Sequence, residues 1–284
     1  MKPETVLKLV ERIDDLPTIP AIALEVNRLL ADQEASTAEI CRLIKQDQAM
    51  VPRILKLVNS SFFGLRSRVI NIERAAVLLG SRTLQNAIMS IAVIDSISFE
   101  SESKDFKLAD FWIHAIEVAT LSKYLAQKTR LAQPEDAFTA GLLHDLGKII
   151  LVQYFPEFFE KVLIEVTENE KSFYNAEKIT IGVTHCQMGD ILGKKWQLPE
   201  RLLEVIRYHH EVDLSKGPRS LLNIVHVADL ISNRCSLSAG CNIEPNEVQP
   251  EASALLSNEI ATVNDWYVEL AEQIRDGCNF FTKE

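Results

Sequence analysis

Apolar side chains recur at helical spacing along nearly the whole chain, and almost no stretch alternates with the period of a strand. One such stripe occupies positions i, i+4, i+7 and i+8 of a predicted helix: Ile22, Val26, Leu29 and Leu30. The segment from Ser36 to Glu39 has the pattern of a capping box, which predicts the start of another helix. These patterns predict an all-α protein with about six short helices in its first hundred residues.

The polar stretch from Phe99 to Asp105 has no apolar periodicity and is the best candidate linker. It predicts two helical lobes, residues 1–103 and residues 104–284. Further helices are predicted in the second lobe, near residues 108–129, 134–154, 156–168, 185–196, 199–210, 218–235 and 264–278.

The amino-acid composition and net charge argue against several classes of protein. The 284 residues are 47% hydrophobic and carry a net charge of −10, which is typical of a globular protein and argues against nucleic-acid or membrane binding. The first residues are charged, and we find no run of eighteen apolar residues, so we expect a cytoplasmic protein. Five cysteines without a CxxC pair argue against a disulfide framework or a thiolate zinc site.

All six histidines lie between His114 and His226, and several stand close to aspartates. Imidazole and carboxylate ligands suit zinc, iron, manganese or nickel, and a pair of ions needs a carboxylate to bridge them. The sequence therefore predicts a site for one or two divalent metal ions. Its candidate ligands are His114, His144, Asp145, His185, His209, His210 and Asp229.

The neighbours of these residues refine the prediction. Small residues around His144, among them Gly141, would allow a second helix to approach closely. Lys148 follows His144 by one helical turn, so its ammonium could reach an anion above the metal ions, which favours a phosphate-containing ligand. His226 is interpreted as a supporting or core residue, and Cys186 as a packed thiol.

The residues 144–148, HDLGK, resemble the signature of the HD superfamily of metal-dependent phosphohydrolases. Three upstream segments are similar to the HDOD family, the HD-related output domain of bacterial signalling proteins. They are LPTIP at residues 16–20, ILKLVNSSFFG at residues 54–64 and AAVLLG at residues 75–80. The resemblance covers about residues 10–235 and implies an HD-like helical bundle in the second lobe.

The resemblance also implies how the ligands are shared. His114, His144, Asp145 and Asp229 would surround one metal position. Asp145 would bridge to a second position, served by His185 and by His209 or His210, of which His209 ranks first. In a hydrolase, Asp145 and Lys148 would act in catalysis.

The family pattern leaves several functions open. HDOD proteins act as output or scaffold modules, so a signalling protein partner is expected. The alternatives are a phosphohydrolase and a nucleotide sensor without turnover. Residues 212–218 replace the glycine-tyrosine-proline loop of the cyclic-dinucleotide phosphodiesterases, which argues against that activity.

Residues 51–85 form a basic region that fits an acidic partner, a nucleotide phosphate or an ordinary solvated surface. Its only acidic residue is Glu73, and its basic residues are Arg53, Lys56, Arg66, Arg68, Arg74 and Arg82.

Overall fold

A computed structural model describes residues 3–13, 15–31, 36–47, 49–59, 67–97, 106–236, 240–241 and 248–282. Apart from a two-residue antiparallel pairing, the regular structure of these residues is helical. The predicted all-α class is confirmed.

Five helices lie in the described part of the first hundred residues: α1 Pro3–Arg12, α2 Ala21–Ala31, α3 Thr37–Ile44, α4 Met50–Val58 and α5 Ile72–Ser96. The predicted capping box is present at α3, where Ser36 and Glu39 cap each other. Helix α5 is broken at Gly80, whose φ of 78° and ψ of 161° are open only to glycine. With this break, the first hundred residues contain the six predicted helical segments among those described.

The second half of the chain is also helical. Its larger helices are α6 Leu108–Thr129, α7 Pro134–Leu143, α8 Gly147–Tyr154, α9 Pro156–Glu168, α10 Phe173–Thr180, α11 His185–Lys195, α12 Glu200–Tyr208 and α13 Ser220–Arg234. The strands β1 Cys235–Ser236 and β2 Gly240–Cys241 follow. The last helices are α14 Pro250–Leu255, α15 Ser257–Ala261, α16 Val263–Trp266 and α17 Ala271–Thr282.

Two expectations about helices were wrong. The helix predicted near residues 134–154 is divided into α7 and α8 by a turn at residues 144–146, and the one predicted near 264–278 is broken between α16 and α17. Helix α10 was not predicted at all. Its only strong start signal is Ser172, whose side chain accepts a hydrogen bond from the backbone of Asn175.

The two predicted lobes share one continuous apolar core that extends from Val6 to Leu270. Helix α1 packs on α11, and the side chain of Trp196 donates a hydrogen bond of 2.7 Å to the carbonyl of Pro17. The segment at residues 16–20 is therefore held by the second half of the chain. The predicted boundary at 103/104 lies outside the described residues and stays a prediction.

By length and composition, α5 is the one described helix that could span a membrane. However, 56% of its most apolar window is buried inside the protein, which is the pattern of a core helix of a soluble protein.

The cysteines differ in state. Cys41 and Cys186 are free thiols, whereas Cys235, at the start of β1, is disulfide-bonded. The cysteine spacing gave no sign of this bond.

Candidate metal centre

The predicted ligands converge from five segments that are distant in sequence. His114 lies in α6, His144 and Asp145 in the turn between α7 and α8, and Asp229 in α13. His185 is the first residue of α11, and His209 follows the last residue of α12. Tertiary packing therefore builds this cluster.

Glycines permit the packing on which the cluster depends. A Cβ atom on Gly141 would lie 2.8 Å from the Cα atom of Ala119 in α6, and one on Gly147 would lie 1.8 Å from the carbonyl oxygen of His185. Neither contact is possible for a side-chain carbon. The close helix approach expected at Gly141 is present, and Gly147 allows α8 to meet α11 beside Asp145.

The turn between α7 and α8 places two adjacent ligands in one site. The backbone N–H of Leu146 donates to the carbonyl of Leu143, and that of Lys148 donates to the carbonyl of Asp145, so these bonds span three residues instead of four. Adjacent residues of a regular helix diverge by about 100°. Through this turn, His144 and Asp145 both face the cluster.

One group of candidate metal ligands lies around one carboxylate oxygen of Asp145 and one of Asp229. His114 Nε2 is 3.2 Å from Asp229 Oδ1 and 3.5 Å from Asp145 Oδ2. His144 Nε2 is 3.3 Å from Asp145 Oδ2 and 3.6 Å from Asp229 Oδ1. These four residues are the set that the family resemblance assigns to one metal position.

A second group lies around the other oxygen of Asp145. His185 Nε2 is 3.1 Å and His209 Nε2 3.7 Å from Asp145 Oδ1, and the two nitrogens are 3.3 Å apart. Asp145 thus divides its two oxygens between the two groups, as a bridging carboxylate would.

The hydrogen bonds of the outer imidazole nitrogens show which nitrogen faces the cluster. His144 Nδ1 is 2.6 Å from the carbonyl of Gly141, and His185 Nδ1 is 2.7 Å from a carboxylate oxygen of Glu177. His209 Nδ1 is 3.1 Å from the carbonyl of Val205. Because these partners only accept, each Nδ1 carries a proton, and Nε2 is the nitrogen that a metal ion would bind.

These Nε2 atoms converge on the carboxylate oxygens of the two aspartates. His144 Nε2 and Asp145 Oδ1 are both buried and have no hydrogen-bond partner among the described residues. Buried nitrogens and carboxylate oxygens that converge in this way are balanced either by protons on the imidazoles or by a metal ion. The donor set therefore fits divalent metal ions.

The cluster is deeply buried. His144, His185 and His209 have no exposed surface, and Asp145 is 1% exposed. The side chain of His114 is 23% exposed, so access from solvent is on its side of the cluster.

Charge balance inside the cluster shifts several pKa values. Burial lowers the pKa of His144, but the carboxylates of Asp145 and Asp229 outweigh it and raise this pKa to about 9. Burial would raise the pKa of Asp145, yet His144 and Lys148 hold it well below its usual range. Without metal, protons on the imidazoles therefore balance the carboxylates.

Lys148 contacts the cluster directly. Its ammonium is 2.5 Å from Asp145 Oδ2 and lies 5.0 Å from the centre of the Phe173 ring. The predicted reach of Lys148 towards the site is present, although its role in catalysis stays a prediction.

His209 and His210 occupy different positions. The ring of His210 packs at a tilt against Tyr174, with centroids 4.6 Å apart, and one of its nitrogens lies within 4.8 Å of those of His185 and His209. Of the pair, His209 is the one that faces Asp145. His210 lies at the edge of the second group.

Sequence reasoning missed Glu177. This carboxylate is fully buried, accepts the Nδ1 proton of His185 and also accepts the backbone N–H of His185 at 3.0 Å. A carboxylate on the outer nitrogen fixes the ring orientation of a metal-binding histidine. Since Glu177 lies in the unpredicted helix α10, the available signal was the cap at Ser172.

His226 supports the cluster through hydrogen bonds to backbone atoms. Its Nδ1 is 2.8 Å from the carbonyl of His209, and its Nε2 accepts the backbone N–H of Gln249 at 3.2 Å. Both ring nitrogens are engaged, in keeping with the supporting role expected for this residue.

The chain belongs to the HDOD family, because the HDOD domain model matches residues 16–212. An uncharacterized protein of Treponema pallidum (strain Nichols) is 32% identical over 205 residues, which cover 72% of this chain and 39% of that protein. The match therefore spans well under half the length of that relative.

Solved structures show the same fold. An HDOD domain protein of unknown function from Geobacter sulfurreducens has a TM-score of 0.73 at 23% identity and covers 99% of both chains. A Shewanella amazonensis protein provisionally named a phosphohydrolase has a TM-score of 0.75 at 22% identity, over 96% of this chain and 97% of that one. Another from the same organism, provisionally named a metal-dependent phosphohydrolase, has a TM-score of 0.62 at 19% identity, over 98% and 97%.

Proposed function

We propose that this protein is a bacterial, cytoplasmic signal-transduction module that acts by binding another protein and that holds a His/Asp metal centre in its second lobe. The observation that carries the binding role is an exposed face at the start of α5. We call it the α5 face, and it consists of Arg68, Ile70, Arg74, Val77 and Leu78.

The apolar residues of this face are strongly exposed. Val77 is 80% exposed, Ile70 72% and Leu78 49%. Arg74 lies one helical turn before Val77 and Leu78, so a cation borders the apolar surface. Apolar side chains rimmed by charge are typical of a protein-binding surface.

The charge of the face favours an acidic partner. Arg53 is paired with Asp95 and Arg82 with Asp136, whereas neither Arg68 nor Arg74 has an ion pair within the described ranges. Arg66, which also belongs to the predicted basic region, lies outside the described residues. Two unpaired arginines on a chain of net charge −10 would steer an acidic surface to this face.

Photo-crosslinking in the native cells tests this role. A photoreactive residue in place of Val77 should form one covalent adduct, and the charge reversals Arg68→Glu and Arg74→Glu should abolish it. The same residue in place of Ile179, which is 61% exposed in α10, is the matched control. Equal labelling at both positions, or an adduct that survives the reversals, would contradict the proposal.

A second candidate function, metal-dependent hydrolysis of a phosphate ester or nucleotide, is supported by Lys148 at the rim of the cluster. When bound, a metal pair supplies Lewis acidity and an activated water. Lys148, whose side chain is 22% exposed, would hold a phosphate oxygen above Asp145.

Hydrolysis is tested with the metal-loaded protein and a panel of phosphomonoesters and phosphodiesters. Asp145→Ala should abolish both metal binding and turnover, whereas Lys148→Ala should keep the metal and raise KM. Lys161→Ala is a control, since Lys161 also lies over an aromatic ring, at 5.7 Å from the centre of Phe158. Turnover that survives Asp145→Ala would exclude this function.

A further inference from the structure

The thiol of Cys186 lies inside the second group of metal donors. Cys186 is 3% exposed, and its Sγ atom is 3.6 Å from His185 Nε2 and 3.9 Å from His209 Nε2. The same sulfur also lies within 4.8 Å of a donor nitrogen of His210. A packed thiol would only need apolar neighbours, whereas this one faces imidazole nitrogens.

The distances between these donors match those around a small tetrahedral ion. Zinc binds imidazole nitrogen at about 2.0–2.1 Å and thiolate sulfur at about 2.3 Å, which separates two nitrogens by about 3.3 Å and a nitrogen from a sulfur by about 3.6 Å. The nitrogens of His185 and His209 are 3.3 Å apart, and the sulfur is 3.6 Å from His185 Nε2. The sulfur is 3.9 Å from both ring nitrogens of His209, so a shared ion requires it to turn towards Nε2.

A second, independent observation indicates a cation at this place. Asp145 Oδ1 is buried, has no hydrogen-bond partner among the residues described and lies 3.1 Å from His185 Nε2. Both histidines direct Nε2 to this place, because their Nδ1 atoms face Glu177 and the carbonyl of Val205. A metal ion would bind these three atoms together.

We propose that Cys186 is a ligand of the second metal position, alongside His185, His209 and Asp145. This inference rests on the proposed metal centre. The thiol releases its proton to solvent when the metal binds, and the sulfur forms the metal bond as a thiolate. A sulfur ligand makes this position prefer zinc, cobalt or ferrous iron over manganese or magnesium.

The test uses spectroscopy of the intact chain, so it does not depend on activity. Protein stripped of metal is titrated with Co²⁺ while the thiolate-to-cobalt charge-transfer absorption is recorded. Zinc-loaded protein is measured in parallel by X-ray absorption, where one sulfur should appear at about 2.3 Å. The variants are Cys186→Ala and Cys186→Ser, and the control is Cys41→Ala, which removes a free thiol of equal 3% exposure outside the cluster.

We expect the charge-transfer band in the wild-type chain and in Cys41→Ala, and its loss in both Cys186 variants. Zinc affinity of the second position should fall roughly 100-fold in these variants, since a direct ligand is worth at least as much as a supporting residue. Metal bound without a sulfur signal would overturn this inference and leave the metal centre intact. No metal bound at all, after reconstitution, would overturn both.

Discussion

Two aspartates nine residues apart in sequence are both buried, yet their surroundings differ in kind. Asp136 in α7 accepts from Asn86 at 2.8 Å and pairs with Arg82 and Arg201, so its carboxylate is satisfied by the protein. Asp145, just after α7, faces imidazole nitrogens as well as Lys148, and one of its oxygens has no hydrogen-bond partner in the described part of the chain.

This difference separates a structural carboxylate from a ligand. Arg82 lies in α5 and Arg201 in α12, so Asp136 joins the first lobe to the second. Asp145 instead gathers four histidines around its two oxygens. A buried carboxylate that is paired with arginines and an amide stabilises the fold, whereas one that is also ringed by imidazoles fits a metal ion, even with Lys148 beside it.

Replacing the bridging carboxylate should have the largest effect. Asp145→Asn is expected to abolish metal binding at both positions, because each loses a charged oxygen ligand. Since a metal that binds only the folded chain raises its stability, the wild-type Tm should rise on zinc addition and that of the variant should not. Elemental analysis and thermal denaturation, each with and without zinc, measure both effects. Metal content like that of the wild-type chain would contradict the bridging role.

The matching change at Asp136 should act on stability instead. Asp136→Asn leaves Arg82 and Arg201 without their carboxylate and should lower the free energy of unfolding by about 3 kcal/mol. Metal content should stay at the wild-type value, since Asp136 does not face the cluster. Urea denaturation of the metal-free chain measures the loss. A variant as stable as the wild type, or one that loses metal, would remove the distinction between the two aspartates.

Much of this architecture was predictable from the sequence because it depends on local patterns. Helical periodicity identified the class, and the capping-box pattern from Ser36 to Glu39 marked the start of α3. The family resemblance identified six candidate metal ligands that the structure places in one cluster. They are His114, His144, Asp145, His185, His209 and Asp229. Their binding of metal stays a prediction.

The residues that sequence reasoning missed act through tertiary contacts. Glu177 precedes His185 by eight residues with a helix end between them, so no spacing rule connects them. Asp136 reads as an ordinary acidic residue in the first turn of a helix until α5 and α12 bring arginines to it. Cys186 was interpreted as a packed thiol. Its contact with His209 depends on how α11 meets the end of α12, which no local pattern indicates.

Changing a residue that orients a metal ligand should weaken metal binding less than changing the ligand itself. Glu177→Gln keeps the shape but removes the charge that orients and polarises His185, and it should weaken metal binding by about 10–100-fold. The fold should be retained, since glutamine still accepts through its carbonyl oxygen. Competition with a zinc chelator of known affinity measures this change. Glu204→Gln, which alters a carboxylate that accepts from Ser215 at 2.6 Å outside the cluster, is the control.

Removing one of the two arginines that pair with Asp136 should have the smallest effect. It tests whether the remaining partners are enough to balance the buried carboxylate. The side chain of Arg82 is 56% exposed, so water already weakens its ion pair. In Arg82→Met the carboxylate of Asp136 keeps the amide of Asn86 at 2.8 Å and Arg201 at 3.5 Å. We therefore expect a loss of about 1 kcal/mol in the free energy of unfolding, measured by urea denaturation beside Asp136→Asn. A loss as large as that of Asp136→Asn would show that Arg82 alone balances the buried charge, and that Arg201 serves another partner.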